Sequence, residues 1–146
     1  MKLLTVAIPC YNSQDYMEHA VETALVGGED VEIILVNDGS SDGTLKVMKD
    51  VSSEYEYFKY ISFSRNFGKE SAMYAGFCNA SGDYVAVMDA DMQDPPSLLP
   101  EMLEILEQGE YDSVATRRVT RKGEPKIRSW FARRFYKLIN RISDAD

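Results

Sequence analysis

The chain has 146 residues, of which 45% are hydrophobic, 27% charged and 11% aromatic, with a formal net charge of -8. Such a composition is that of one soluble globular domain with a single core. No apolar run approaches the roughly 20 residues that a bilayer-spanning helix needs. Residues 3–9 are too short for a signal peptide's apolar region, and Cys10 and Cys78 lack metal or redox spacing, so we expect reduced thiols in the cytosol.

Residues 3–9 read as a first strand. Ser13 caps a predicted helix over about 14–26, which Gly27 and Gly28 end. The run Val-Glu-Ile-Ile-Leu-Val-Asn at 31–37 is a strong strand, followed by a turn over 38–43 and a helix over about 44–54. Residues 57–64 alternate like a strand, and 71–79 read as a helix with Gly82 near its end. The short apolar run 84–89 predicts a buried, central strand. Ser97 then caps a helix to about residue 108, with Leu98, Leu99, Met102, Ile105 and Leu106 as its apolar face. Residues 112–116 read as a last short strand. Strands alternating with helices argue for an α/β fold, a mostly parallel sheet with helices on both faces.

Charge divides the chain. Residues 1–116 carry six basic and 21 acidic side chains, a net -15. Residues 117–141 carry ten basic and one acidic, a net +9. We therefore expect a core at 1–116 and a basic amphipathic segment at 117–146 that faces an anionic acceptor or a membrane surface. Trp130, Phe131, Phe135, Leu138 and Ile139 give that segment an apolar face in need of a partner. The polar end at 143–146 suggests a fragment of a longer chain.

Polar residues collect at four predicted strand ends. Pro9-Cys-Tyr-Asn12 sets an aromatic ring after a strand, where it can wall off a flat base or simply make a turn. Asp38 follows a buried strand, where a carboxylate can accept hydrogen bonds from a base N–H or ribose hydroxyls, while Ser41 or Asp42 can cap the next helix. Arg65 and Lys69 flank Gly68 in a loop that can offset ligand phosphates. Gly-x-Gly-x-x-Gly and the P-loop pattern are both absent. The fourth end, Asp89-Ala-Asp-Met-Gln-Asp-Pro-Pro96, places two carboxylates two residues apart where a strand gives way to a loop. They can converge on one hard cation, with Gln93 offering a neutral oxygen.

Together these segments resemble the inverting family 2 glycosyltransferases of GT-A fold, a Rossmann-like sheet. The resemblance rests on Ile8-Pro-Cys-Tyr-Asn12, the run 36–44, Arg65-Asn-Phe-Gly-Lys69 and the run 88–96. Gln93-Asp-Pro-Pro96 and the later basic pattern look like the polyprenyl-phosphate branch, which resembles dolichol-phosphate mannose synthase and bactoprenol glucosyltransferases. Ser13 stands where a Glu is common in this family. The resemblance implies that Pro9, Tyr11, Asn12, Asp38, Lys69, Asp89 and Ala90 hold a UDP- or GDP-sugar. It implies Asp91 and Gln93, with Asp89, as ligands of Mg²⁺ or Mn²⁺, and Asp89 and Asp91 as the catalytic pair. Arg117, Arg128 and Ser129 would meet a polyprenyl-phosphate acceptor at the cytosolic face of a membrane. Nucleic acid is not an expected partner. The alternatives are a non-catalytic nucleotide- or lipid-head-group-binding module and a metal-dependent nucleotidyltransferase.

Overall fold

A computed structural model of the chain describes residues 3–25, 28, 30–91 and 95–116. In chain order these form β1 (Leu4–Cys10), α1 (Gln14–Leu25), β2 (Val31–Asn37), α2 (Thr44–Glu54), β3 (Phe58–Ser62), α3 (Lys69–Asn79), β4 (Tyr84–Val87), a 3-10 turn (Pro96–Leu98) and α4 (Leu99–Glu107). The described strands make one parallel sheet in the order β3-β2-β1-β4. The chain divides into two compact units, Met1–Glu104 and Ile105–Asp146.

Alternation along β1 and β2 sorts their side chains onto two faces. Val6, Ile8 and Cys10 on β1 join Ile33 and Leu35 on β2, Phe58 on β3, and Met17 and Val21 of α1 and Met48 of α2 in the larger core. The opposite face, with Ile34 and Val36, packs on Ala72 and Ala75 of α3. Helices thus cover both faces, as the sequence pattern requires. Each fully buried Ile or Leu here contributes about 1.5–3 kcal/mol. Helix α3 lies close to the sheet because Gly76 has no side chain: a Cβ there would stand 2.7 Å from Ala7 Cβ.

Three expectations need correction. Among the described strands β4 pairs with β1 alone, at an edge, and its residues are half-buried with Val85 39% exposed, so it is neither central nor buried. Residues 112–116 form no strand, because none of them joins a ladder. Helix α4 begins at Leu99 after a 3-10 turn that itself contains Ser97, so Ser97 lies inside that turn and not just ahead of the helix. Its predicted apolar positions Leu98, Leu99, Met102, Ile105 and Leu106 are each half-buried. The segment 117–146 lies outside the described residues.

Candidate functional site

The carboxyl ends of β1 and β2 finish level, Cys10 opposite Asn37, and the Asp38 N–H donates to the Cys10 carbonyl at 2.9 Å. Parallel strands that end together leave a crevice at their carboxyl ends, where such folds bind ligands. A cleft of about 420 Å³ opens there. Pro9, Tyr11, Asn12, Asp38, Lys69, Asp89, Ala90 and Asp91 all line it, so four chain segments separated by up to 82 positions meet at one place.

The β1–α1 and β2–α2 loops are stitched together at the cleft's rim. Asn12 sits at φ 49°, a left-handed conformation that Asn tolerates better than most residues. Its Oδ1 accepts from the Ser41 N–H at 2.9 Å, and its own N–H donates to Ser40 Oγ at 3.0 Å. The Ser13 N–H donates to Thr44 Oγ1 at 2.9 Å. Ser13 Oγ turns back to Tyr11 instead of capping α1. The capping carboxylate is Asp42, which accepts from the Gln14 N–H at 3.1 Å and the Thr44 N–H at 3.0 Å. It serves the first turns of both α1 and α2 and complements their positive ends. Burial opposes its ionisation, but the bonds from Thr44 and Gln14 outweigh that and hold its carboxyl below the usual range. This clasp leaves the Tyr11 ring half-exposed on the cleft wall.

Asp38 is buried, and its two oxygens accept from the Phe67 N–H at 2.7 Å and the Gly68 N–H at 3.0 Å. The Lys69 ammonium reaches Asp89 Oδ1 at 2.6 Å, with both side chains about half exposed. Solvent screens such a pair, so its worth is in placement more than in stability. Arg65 lies over the Phe67 ring, 4.7 Å from its centre, and does not line the cleft. The cleft also takes in Cys10, Tyr16, Asn66 and Ala72, none of which the sequence marked as a site residue. Tyr16 offers a second exposed ring, one turn into α1; its aromatic type near Tyr11 was the available signal. Burial pushes the Cys10 thiol up to about 12, which makes it a packing group and no nucleophile.

Among the described residues, no three His, Cys, Asp or Glu side chains gather as a closed metal site. Asp89 and Asp91 nonetheless bring hard oxygen donors to the cleft lining. One or two carboxylates completed by substrate phosphates and water is the donor set Mg²⁺ and Mn²⁺ take, so the residues fit such an ion. Gln93, Arg117, Arg128 and Ser129 lie outside the described residues.

Fold and cleft together define a parallel α/β protein with a carboxylate-lined ligand site at its strand ends. The chain belongs to glycosyl transferase family 2, whose model matches residues 5–145. It is 42% identical to CsbB of Bacillus subtilis (strain 168) over 149 residues, covering 99% of this chain and 44% of that one. It is 36% identical to the undecaprenyl-phosphate 4-deoxy-4-formamido-L-arabinose transferase of Edwardsiella ictaluri (strain 93-146), covering 96% of this chain and 43% of the other. The chain thus spans less than half the length of these relatives. Among solved structures, glucosyl-3-phosphoglycerate synthase from Mycobacterium tuberculosis superposes with a TM-score of 0.60 at 24% identity, over 75% of this chain and 41% of that one. That crystal structure contains Mn²⁺, uridine diphosphate and glucosyl-3-phosphoglycerate. The likeness bears out the expected GT-A fold.

Proposed function

We propose that this chain is the donor-binding part of a metal-dependent, inverting glycosyltransferase. It moves a sugar from a UDP- or GDP-sugar to a polyprenyl phosphate at the cytosolic face of a membrane. The observation that carries this reading is the convergence of Tyr11, Asp38, Lys69, Asp89 and Asp91 in one cleft. An exposed ring there suits a nucleobase, an ammonium suits a phosphate, and the carboxylate pair suits Mg²⁺ or Mn²⁺. Asp91, with Asp89 and Gln93, would hold that ion. When bound, it neutralises the charge that develops on a departing nucleoside diphosphate.

A lipid phosphate is anionic at neutral pH and attacks an anomeric carbon without a strong general base. The ten basic side chains at 117–141, among them Arg117 and Arg128, complement such an acceptor, with Ser129 beside them. The acceptor named for the Edwardsiella ictaluri relative supports that choice. Family membership favours glycosyl over nucleotidyl transfer. Liposome binding without nucleotide-sugar turnover would instead identify a non-catalytic module.

The test is Asp91→Ala, assayed by sugar transfer to a polyprenyl phosphate in the full-length protein. A metal contributes several kcal/mol in such reactions, so transfer should fall by at least about 100-fold. Undiminished transfer with metal still bound would overturn the role of Asp91.

A further inference from the structure

Helix α1 and the turn before it bury a stripe of Ser13, Met17, Ala20 and Val21. Residues at that spacing share one helix face. The start of the helix is firmly held. The Tyr16 and Met17 N–H groups both donate to the Ser13 carbonyl, at 2.9 and 3.1 Å, and the Gly43 N–H donates to Gln14 Oε1 at 2.7 Å. Met17 is fully buried, with its sulfur 3.8 Å from Cys10 Sγ. Tyr16 stands on the flank of that stripe and is 54% exposed, while Tyr11, just before the helix, is 53% exposed. Both line the cleft, so two aromatic side chains offer it surface that a flat ligand can cover.

The cleft has two chemically different sides. Helix α1 packs on the sheet face that carries Ile33 and Leu35, and α3 packs on the face that carries Ile34 and Val36. Near its start α1 brings Tyr16, and at its start α3 brings Lys69, which reaches Asp89. The rings and the ammonium therefore come to the cleft from helices on opposite faces of the sheet. We propose that Tyr16 is a second base-binding residue, whose ring stacks on the donor's nucleobase at the α1 side of the cleft while the diphosphate lies toward Lys69 and Asp89. This rests on the donor-binding reading and adds to it a residue outside the set that carries that reading. A nucleobase is a flat π-system with two faces, of which Tyr11 can cover one. A tyrosine ring gives large contact area at low cost in conformational entropy, and α1 holds the backbone of this one in place. Stacking tolerates any base, because every base has a π-face. Tyr16 thus favours a nucleotide over a bare diphosphate, and does little to favour one nucleotide over another.

Calorimetry on the full-length protein, with Mn²⁺ present, compares UDP, GDP and inorganic pyrophosphate in the wild type, Tyr16→Phe and Tyr16→Ala. Tyr16→Ala should weaken UDP and GDP by about 5-fold to 100-fold, the range of one base–aromatic stack, and leave pyrophosphate unchanged. Tyr16→Phe keeps the ring and should bind both nucleotides as the wild type does. Because Tyr16 is exposed, neither variant should move the urea unfolding midpoint, so a loss of binding is not a loss of fold. Undiminished nucleotide binding by Tyr16→Ala would overturn the proposal and leave Tyr16 a solvated ring. So would an equal loss of pyrophosphate, which traces to the cleft's shape or charge. So would an equal loss in Tyr16→Phe and Tyr16→Ala, which traces to the hydroxyl. Failure of the donor-binding reading looks different: the wild type itself then binds neither nucleotide, which overturns both.

Discussion

Replacing Glu32 by Gln tests the best-satisfied buried charge in the described residues. Glu32 lies on β2 with its side chain 2% exposed. It accepts from Thr5 Oγ1 at 2.7 Å, from the Ser81 N–H at 2.9 Å and from the Lys59 ammonium at 2.5 Å. Thr5 in turn accepts from the Gly82 N–H at 2.9 Å, so one carboxylate ties β1, β2, β3 and the α3–β4 turn together. Burial raises its pKa, but the bonds from Lys59, Thr5 and Ser81 prevail and lower it from 4.5 to about 2. At about 1.4 kcal/mol for each tenfold change, that fall corresponds to about 3 kcal/mol of native-state stability at neutral pH. Lys59 is 56% exposed, so solvent screens its share, and about 2–3 kcal/mol is the working figure. The folded pKa is depressed, so the contribution is complete above about 4.5 and is lost as pH falls toward about 2. Gln cannot ionise. Glu32→Gln should therefore lower stability by about 2–3 kcal/mol at pH 7, and roughly half of that or less should remain at pH 3. Urea unfolding at both pH values, with an unchanged slope, measures the gap. A gap that stayed constant or widened on acidification would refute the assignment of that stability to the ionised carboxylate.

Gly76→Ala should destabilise by about 1–3 kcal/mol in the same urea assay, because the new Cβ meets Ala7 Cβ at 2.7 Å. An unchanged midpoint would mean α3 stands further from the sheet. Of the two cysteines, Cys78 is exposed and Cys10 is buried with its thiol pushed up to about 12. A thiol reagent at pH 8 should accordingly titrate one group quickly in the native protein and both in denaturant, and two fast thiols without denaturant would contradict the burial of Cys10. Lys69→Met removes the cation beside Asp89. Calorimetry should then show Mn²⁺ binding about 3-fold to 10-fold tighter, from removal of one nearby like charge at an exposed site, and UDP binding weaker. Looser Mn²⁺ binding would show that Asp89 does not contribute to the ion's site.

Periodic segments were legible from residue types alone. The strand at 31–37 and the helix at 44–54 fall where apolar spacing puts them. Boundaries moved where distant residues decide them. Helix α3 starts at Lys69 and not at residue 71, because its start follows Gly68, at φ 97°, whose amide Asp38 holds from across the sheet edge. Pro9, Tyr11, Asn12, Asp38, Asp89, Ala90 and Asp91 were legible as cleft members because they stand at or soon after strand ends, and parallel strands must deliver their carboxyl ends to the same side; Lys69 instead opens α3. Their commitments were not. Nothing near Asp38 or Asn12 in sequence announces that their side chains bond the loops at 67–68 and 41. Glu32 escaped notice for the same reason: its partners lie 27 and 49 positions away, and locally it is one polar residue in an apolar strand.

Charge explains why the cleft's parts belong together. Asp38, Asp89 and Asp91 bring three carboxylates to a space that holds the ammonium of Lys69. A diphosphate entering it would meet net repulsion, worth roughly 1 kcal/mol per unit pair at 4 Å in water and about 4 kcal/mol near a protein surface. The two loop amides already draw on the Asp38 carboxylate, which moderates one of the three charges. The other two both line the cleft, two residues apart in the chain, and one divalent cation could answer both. Under the proposed function, Lys69 then has a reason to leave Asp89: with the cation in place, its ammonium is better spent on a phosphate oxygen. On that proposal, an acidic cleft would be selective for an anion that arrives with its metal.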